Sequence, residues 1–349
     1  MEIYSTGSGG SLPLRFLLFL LLVSSPLLLS PVLSASSVRC HPADRAALLR
    51  IKDSFSQESP DNFTSWDPNI NCCNWAFVQC DDKTNRVNSL TIQQTGVRHI
   101  PAAIGDLPYL ERLTFEDFPK LTGSIPSSFT KLQNLKLFQI WNSGLSGPIP
   151  EFLSELRNLE YLELSQSKLS GPIPSSLANL RKLATLVLKS NKLTGHIPDS
   201  FGRFNTDVTG GFTLDLSHNQ LFGEIPRSLG QLDYMTIDLS YNRLVGDASL
   251  LFKENGAAQY IYLSNNDFDF DLSKVRFPQN LTFLVLTHNK VRGSIPEQVT
   301  ELDSLLLFDV SYNRLCGKIP VGGNIQKLGI FSFLHNRCLC GPPLPIKCM

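Results

Sequence analysis

The sequence predicts an α/β solenoid, in which short units stack side by side and bury their leucines in one continuous core. Three observations support this fold class. A Leu-x-x-Leu-x-Leu pattern recurs about every 24 residues. Within that pattern apolar and polar residues alternate, as they do in a strand with one buried face. The eight cysteines form two groups of four, one near each end of the repeated region.

Ten units align with residues 159–174, Leu-Glu-Tyr-Leu-Glu-Leu-Ser-Gln-Ser-Lys-Leu-Ser-Gly-Pro-Ile-Pro. They follow the pattern Leu-x-x-Leu-x-Leu-x-x-Asn-x-Leu-x-Gly-x-Ile-Pro, which is that of a plant-type leucine-rich repeat. The units begin at Val87, Leu110, Leu135, Leu159, Leu183, Gly211, Tyr234, Ala258, Leu281 and Leu305. We therefore predict a leucine-rich repeat solenoid of ten repeats, with a parallel β-sheet on its concave face and a disulfide cap at each end.

Each part of the pattern has a structural explanation. Ahead of the repeats, Ala47, Leu48, Ile51 and Phe55 recur at helical spacing, which predicts an amphipathic cap helix. The leucines of each strand point into the core, and the Asn after the strand can donate and accept hydrogen bonds in the turn. Gly-x-Ile-Pro ends the strand, and the apolar residues that follow it suit one helical or 3₁₀ turn on the convex side.

The first residues are typical of a secretory signal peptide. Arg15 precedes the apolar run 16–23, and small residues follow at 34–37. Because the run is short and two prolines follow it, a retained membrane anchor is less favoured, and no later segment predicts a membrane span. We expect a secreted, extracellular protein. Its predicted parts are a signal peptide at 1–37, an N-terminal disulfide cap at 38–86, ten repeats at 87–328 and a C-terminal disulfide cap at 329–349.

The cysteines and two sequons agree with secretion. Each group of four cysteines allows three disulfide pairings, and spacing does not decide between them. We favour Cys40–Cys72, Cys73–Cys80, Cys316–Cys338 and Cys340–Cys348, which would stiffen the caps that cover the solenoid ends. Asn62-Phe-Thr and Asn280-Leu-Thr predict N-glycosylation at Asn62 and Asn280.

Several function classes are disfavoured. Lys plus Arg and Asp plus Glu number 31 each, so no net field attracts nucleic acid. A zinc site at Cys338-x-Cys340 is disfavoured because histidine and further cysteines at finger spacing are missing. Gly-x-Ser-x-Gly, His-Glu-x-x-His and phosphate-loop motifs are also missing, so we expect neither an enzyme nor a bound cofactor or metal.

The outward positions of the predicted sheet form a candidate protein-binding face. Ten strands at about 4.8 Å spacing give a face on the order of 45 Å long, which suits a protein partner. These positions hold more acids than bases, and they hold aromatic residues of the kind that anchor interfaces. An idle, solvated sheet is the alternative. The candidate contacts are Trp141, Glu163, Lys189, Thr213, Asp215, Asp238, Gln259, Tyr262 and His288.

A second column, directly after the Asn position, is mostly basic. It consists of Lys168, Lys192, Gln220, Arg243, Asp267, Lys290 and Arg314. A stripe of cations at a regular pitch could follow a polyanion, although solvated charges are the more common explanation.

Motifs at both ends and throughout the repeats closely resemble those of plant polygalacturonase-inhibiting proteins. They are Ser65-Trp66, Cys72-Cys73-x-Trp75-x-x-Val78-x-Cys80, the Asn-x-Leu-x-Gly-x-Ile-Pro units and the tail from Asp309-Val-Ser-Tyr-Asn-Arg-Leu-Cys316-Gly to Cys338-Leu-Cys340-Gly. The resemblance covers the whole predicted mature chain. The N-terminal cap and the repeats are also shared with plant receptor ectodomains.

The resemblance implies a plant cell-wall protein that binds fungal or insect endopolygalacturonase with its concave sheet and blocks pectin cleavage in defence. It implies that Glu163, Asp215 and Asp238 meet the basic substrate groove of the enzyme. It also implies pectin binding, for which His218, His288, Lys168, Lys192 and Arg243 are the candidates here. The alternative is a secreted recognition module in developmental or receptor signalling that does not inhibit polygalacturonase.

Overall fold

The computed structural model describes residues 40–56, 63–93, 97–205 and 211–348. The predicted signal peptide at 1–37 and the sequon residue Asn62 lie outside these residues. Within these ranges, no helix combines the length and the apolar character needed to cross a bilayer. The division into a leader, two caps and ten repeats stays a prediction.

The described chain contains one α-helix, α1 (Pro42–Ser56), followed by short strands that alternate with 3₁₀ turns. The strands are β1 Val78–Cys80, β2 Val87–Gln93, β3 Arg112–Phe118, β4 Leu137–Ser143, β5 Ser146–Gly147, β6 Tyr161–Ser165, β7 Lys168–Pro172, β8 Thr185–Val187, β9 Lys192–Gly195, β10 Phe212–Asp215, β11 Gln220–Glu224, β12 Tyr234–Asp238, β13 Arg243–Gly246, β14 Tyr260–Tyr262, β15 Asp267–Phe268, β16 Phe283–Val285, β17 Arg292–Gly293, β18 Leu307–Asp309, β19 Arg314–Lys318 and β20 Cys338–Cys340.

The largest sheet has eleven strands in the order β1-β2-β3-β4-β6-β8-β10-β12-β14-β16-β18. Only β1 is antiparallel to its neighbour, so ten parallel strands remain, one for each predicted repeat. This is the predicted concave sheet, and we call it the concave sheet below. A second sheet, in the order β15-β13-β11-β9-β7-β5, runs beside it, and a third joins β17, β19 and β20. The predicted solenoid of leucine-rich repeats is confirmed.

The repeat leucines fill one continuous core. Leu162, Leu164 and Leu169 of a single unit are each at most 1% exposed, as the alternating pattern predicts. The Gly of Gly-x-Ile-Pro has a conformational role, since Gly171 has a φ of +81° with open space where a Cβ would lie.

Pro ends each such motif, and a 3₁₀ turn begins at the next residue in six of the seven motifs, as predicted, whereas after Pro320 the turn begins at Asn324. The 3₁₀ turns are Cys72–Asn74, Ala102–Asp106, Ser127–Lys131, Glu151–Glu155, Ser175–Asn179, Asp199–Arg203, Arg227–Gln231, Ser249–Leu251, Leu272–Lys274, Glu297–Glu301, Asn324–Lys327 and Ile330–Phe333.

The Asn that follows the strand in the fifth to tenth units links neighbouring units, as predicted. The side-chain NH₂ of Asn219 lies 3.0 Å from the Leu188 carbonyl oxygen, in the preceding unit, and 3.1 Å from the Leu216 carbonyl oxygen. Its oxygen accepts from the Leu193 N–H at 3.0 Å. Where Ser143 and Ser167 replace Asn, their hydroxyls lie 2.7 Å apart and bond to each other. The column is therefore a buried hydrogen-bonded ladder that belongs to the scaffold.

The ladder continues into the C-terminal cap. The Asn336 amide donates to the Val310 carbonyl at 3.0 Å, and its oxygen accepts from the Leu315 N–H at 3.0 Å. Asn336 stands 23 residues after Asn313, so the repeat period itself contained this signal. The cap therefore copies the turn of a repeat while it closes the open end of the core.

Two disulfides hold each cap. They join Cys40–Cys72, Cys73–Cys80, Cys316–Cys338 and Cys340–Cys348, which are the pairings that the sequence favours. Cys316 and Cys338 face each other on the neighbouring strands β19 and β20. The covalent links therefore lie at the two ends, where a unit has a neighbour on only one side.

A buried ion pair joins the cap helix to the first repeat. The Asp44 carboxylate, in the first turn of α1, is fully buried and accepts from the Arg86 guanidinium at 2.6 and 2.9 Å and from the Val87 N–H at 2.9 Å. Asp44→Ala should lower the free energy of unfolding by about 3–5 kcal/mol, because Arg86, whose side chain is only 14% exposed, and the buried Val87 N–H both lose their acceptor.

Thermal unfolding followed by circular dichroism measures this loss. Asp106→Ala is the matched control, since Asp106 also pairs with two cations, Arg50 and Lys131, but is well exposed. It should change stability by less than about 1 kcal/mol. Equal losses in the two variants would contradict the special role of the buried pair.

Candidate protein-binding face

The outward residues of the concave sheet lie side by side because its strands are in register. Asp215 on β10 pairs with Asp238 on β12, and Asp238 pairs with Tyr262 on β14. All three side chains are partly exposed. Trp141 lies on β4. Lys189 follows the end of β8, and Gln259 directly precedes β14. The structure thus brings most of the predicted contacts onto one surface.

His288 lies outside the strands, although the sequence places it among the outward strand positions, because β16 ends at Val285. His218, a candidate for pectin binding, likewise lies beyond the end of β10 at Asp215. The two histidines are exposed in the turns after these strands, where φ is +55° and +57°. They therefore border the concave sheet and do not form part of it.

Glu163 is less available to a partner than the resemblance implies. Its side chain is on β6, but the residue is only 9% exposed. The carboxylate accepts from the Tyr161 hydroxyl at 2.6 Å, the Gln139 amide at 3.0 Å and the Ser165 hydroxyl at 2.5 Å. Burial and this carboxylate raise the pKa of Tyr161, so the hydroxyl stays protonated as a donor. Glu163 is mainly a structural acceptor within the sheet.

Three other acids share a local arrangement that the sequence analysis missed. In Asp215, Asp238 and Asp309, Oδ1 accepts both the N–H and the hydroxyl of the serine two residues later. The motif Asp-x-Ser, repeated at the same place in the unit, was the available signal. The two bonds fix the carboxylate, so a partner binds it without first ordering the side chain.

Asp238 is an outward acid whose negative charge is poorly compensated by its surroundings. Burial raises its pKa, and the neighbouring Asp215 raises it further, against the opposing hydrogen bonds from Ser240. Asp215 has a cation nearby, since Lys189 Nζ lies 3.9 Å from its Oδ2. No ion pair joins Asp238 to any other described residue. A cationic group of a partner would therefore relieve an unfavourable charge at Asp238.

This raised pKa should make stability depend on pH. The folded state holds the proton of Asp238 more tightly than the unfolded state does. Protonation of Asp238 therefore stabilises the folded protein at low pH, and this contribution is lost as pH rises through the folded pKa. Asp238→Asn should therefore melt at a higher temperature than the wild type at about pH 7, and the difference should disappear below about pH 3. Thermal unfolding across this range tests the expectation, and a difference independent of pH would contradict it.

Aromatic side chains continue the surface towards the C-terminal repeats. The Tyr260 and Phe283 rings are stacked with centroids 5.4 Å apart, and Tyr262 lies 6.5 Å from the same phenylalanine. Burial raises the pKa of Tyr262, and the charge of Asp238 adds to the effect. The face thus combines fixed carboxylates with neutral aromatic hydroxyls.

A column of rings follows the turns beside the sheet. His218 stacks on Tyr241, and Tyr312 stacks between His288 and His335, with every centroid distance 4.1 Å. All five residues have φ between +52° and +57°. Sequence reasoning missed this stack because its members lie 23 or 24 residues apart and meet only through the repeat spacing.

Some cations of the basic column, beside the concave sheet, already form ion pairs with neighbouring aspartates. Lys290 pairs with Asp267 at 2.6 Å, and Arg314 Nη1 lies 3.9 Å from Asp269 Oδ2. Lys168, Lys192 and Arg243 are exposed, and no ion pair links them to another described residue. Within this column, these three residues are therefore the cations that a polyanion could bind without displacing an ion pair.

Comparisons with known proteins agree with this architecture. The family described as "Leucine rich repeat N-terminal domain" matches residues 41–81, and "Leucine Rich Repeat" matches 158–180, 182–204 and 212–232. The chain is 42% identical to a solved structure of a plant ice-binding protein, with a TM-score of 0.85 over 89% of this chain and 99% of that one.

Curated relatives are still more similar. The polygalacturonase inhibitor of Vitis vinifera is 53% identical over 93% of this chain and 97% of its own length. Polygalacturonase inhibitor 1 of Arabidopsis thaliana is 54% identical over 88% and 92%. Leucine-rich repeat protein FLOR 1 of the same plant is 49% identical over 88% and 93%. The chain belongs to the polygalacturonase inhibitor family, whose leucine-rich repeat fold serves protein interaction and not catalysis.

Proposed function

We propose that the protein is a secreted cell-wall inhibitor that binds pathogen or insect endopolygalacturonase through its concave sheet and blocks pectin cleavage in plant defence. The observation that carries the proposal is the pair of fixed carboxylates, Asp215 and Asp238, on adjacent strands. The similarity to named inhibitors over nearly the whole chain supports the choice of partner.

The physical basis is charge complementarity. Pectin is a polyanion, so an enzyme that cleaves it needs cationic side chains in its substrate groove. The carboxylates of Asp215 and Asp238, which accept hydrogen bonds from Ser217 and Ser240, can pair with those cations in place of the sugar carboxylates. Trp141, Tyr262 and the neutral residues Thr213 and Gln259 supply the surrounding contact surface, and the bulk of the solenoid then obstructs the cleft.

Reducing-sugar release from polygalacturonate tests the proposal directly. A panel of fungal and insect endopolygalacturonases is assayed with increasing amounts of the purified protein, and dose-dependent inhibition of at least one enzyme is expected. The heat-unfolded protein is the control for nonspecific effects. Full activity of every enzyme in a broad panel would contradict the proposal.

We also propose that pectin itself binds along Lys168, Lys192 and Arg243, with His218 and His288 at the border of the concave sheet. The support is that these three cations are unpaired among the described residues and recur along the stacked units. Retention on immobilised polygalacturonate, lost on replacing the three basic residues by Gln, tests this. Unchanged retention would point to other cations.

The exposed Asn280 is our proposed glycosylation site within the described chain. It precedes β16, and the Thr282 hydroxyl of its sequon lies 3.2 Å from the Asn280 carbonyl oxygen. Glycosylation at Asn62, which lies outside the described residues, stays a prediction from the sequence. Mass spectrometry of the protein secreted by plant cells, before and after glycan removal, reports which of the two sites is used.

A second candidate function is recognition in developmental or receptor signalling without inhibition. The 49% identity to Leucine-rich repeat protein FLOR 1 favours keeping it, because a relative of similar length has a name that does not refer to polygalacturonase. The same concave sheet would then bind a different protein. Absence of inhibition combined with specific capture of a plant protein would favour this function.

A further inference from the structure

A hollow of about 470 Å³ lies between the C-terminal end of the concave sheet and the C-terminal cap. Residues of three kinds line it. Asp309 and Ser311 form the polar part, His288, Tyr312 and His335 contribute the stacked rings, and Phe331 stands on the 3₁₀ turn Ile330–Phe333. The hollow therefore places a carboxylate next to aromatic rings in one site.

The polar part of the hollow presents a carboxylate with spare acceptor capacity. Asp309 Oδ1 accepts from the Ser311 N–H at 3.0 Å and from its hydroxyl at 2.7 Å. Within the described chain, Oδ2 has no ion-pair partner, and the residues that line the hollow include neither lysine nor arginine. The comparable Asp-x-Ser acid Asp271 differs, because Arg292 lies 3.8 Å from its Oδ2.

The apolar part of the hollow is exposed. Phe331 is 79% exposed, so its ring is available to a ligand in the hollow. Tyr312 is 45% exposed and lies in the ring stack between His288 and His335. Because the rings of His288 and His335 stack on the two faces of Tyr312, the open aromatic surface beside the carboxylate is that of Phe331, whose ring can attract a cation in addition to the carboxylate charge.

These features select one class of ligand. An anion would be repelled by Asp309, and an apolar group would cover its carboxylate without giving it a partner, which is unfavourable. Lysine would satisfy the charge, but its compact ammonium is strongly hydrated. A guanidinium is planar, binds carboxylates and stacks on aromatic rings. We propose that this hollow binds an arginine side chain of a protein or peptide partner.

The site goes beyond the proposed inhibition, because its ligand can be tested without any polygalacturonase. Ligand-observed NMR titrations of the full protein with N-acetyl-arginine amide and with the citrulline analogue, at one fixed pH, compare a cation with its neutral isostere. The arginine compound should bind at least about tenfold more tightly.

Three variants locate the binding. Asp309→Asn keeps an acceptor for Ser311 and should weaken arginine binding by at least about tenfold. Phe331→Ala, at an exposed position that the fold does not need, should weaken it by about threefold. Asp271→Asn removes an acid with the same Ser contacts outside the hollow and should leave the affinity unchanged.

Several results would overturn the inference. They are no binding of the arginine compound to the wild type, equal binding of the citrulline compound, wild-type affinity in Asp309→Asn, or an equal loss in Asp271→Asn. An unchanged affinity in Phe331→Ala would overturn the aromatic half of the proposed site. Circular dichroism of each variant shows that a loss of binding is not a loss of fold.

Discussion

Asp238→Lys should weaken inhibition of endopolygalacturonase by at least about a hundredfold while leaving the fold intact. Losing a carboxylate from a desolvated charge pair costs about 2–5 kcal/mol, and the new lysine adds repulsion against the cationic groove. The Asp238 side chain is partly exposed, so the lysine can extend into solvent. The inhibition constant from reducing-sugar release measures the effect.

The control for this variant is the same charge reversal away from the concave sheet. Asp199 is exposed at the start of the 3₁₀ turn Asp199–Arg203, and Asp199→Lys should leave inhibition unchanged. Gln259→Lys, which adds a cation beside the strand that carries Tyr260 and Tyr262, should also abolish inhibition. Wild-type inhibition in both concave variants would show that the enzyme binds another surface. Loss of the circular-dichroism signal would show instead that these side chains are structural.

Asn219→Leu should have the opposite profile, with a large loss of stability that precedes any effect on binding. The leucine removes the donor for the Leu188 and Leu216 carbonyls and the acceptor for the Leu193 N–H, all in a buried setting. Leaving such groups unsatisfied costs about 1–3 kcal/mol each, and we expect a total loss of about 3–5 kcal/mol. Urea denaturation followed by circular dichroism measures the shift in midpoint.

Asn179→Leu provides the matched comparison. Asn179 is exposed at the end of the 3₁₀ turn Ser175–Asn179, and its replacement should change stability by less than about 0.5 kcal/mol. If Asn219→Leu lowered the stability no more than Asn179→Leu does, the hydrogen bonds of the ladder would contribute little to the free energy of unfolding. Because repeats contact mainly their neighbours, the variant can also broaden the transition by uncoupling the two halves.

The repeated parts of the fold were predictable because the same apolar and polar residues recur at a nearly constant spacing. A strand leucine such as Leu162 is buried in every unit for the same reason, so ten weak local signals become one strong one. The cap helix α1 followed from its own apolar spacing. Asn336 was within reach of the same argument, but it lies in the cap, where the other repeat residues no longer match.

The candidate site was predictable only as a surface. Glu163 has the same outward position as Asp238, yet Gln139 from the preceding unit and Tyr161 cover its carboxylate. Such contacts depend on which residues stand opposite each other on adjacent strands, and this varies from unit to unit. The ring stack and the hollow at Asp309 likewise require the lateral alignment of residues from different repeats. The sequence pattern therefore predicts which residues point outward from the concave sheet, but the contacts between adjacent strands decide whether each of them is available to a partner.

The left-handed turn positions also bear on how such a protein can change over evolutionary time. One non-glycine residue in each of the second to tenth units, and one in the C-terminal cap, adopts this backbone conformation, at Asp117, Asn142, Gln166, Ser190, His218, Tyr241, Asn265, His288, Tyr312 and His335. The conformation costs an L-residue about 1–2 kcal/mol, so the surrounding turn imposes it. Side-chain identity there is decoupled from the core. Duplication or deletion of one unit would then lengthen or shorten the exposed column by a single residue, without disturbing the neighbours of the others.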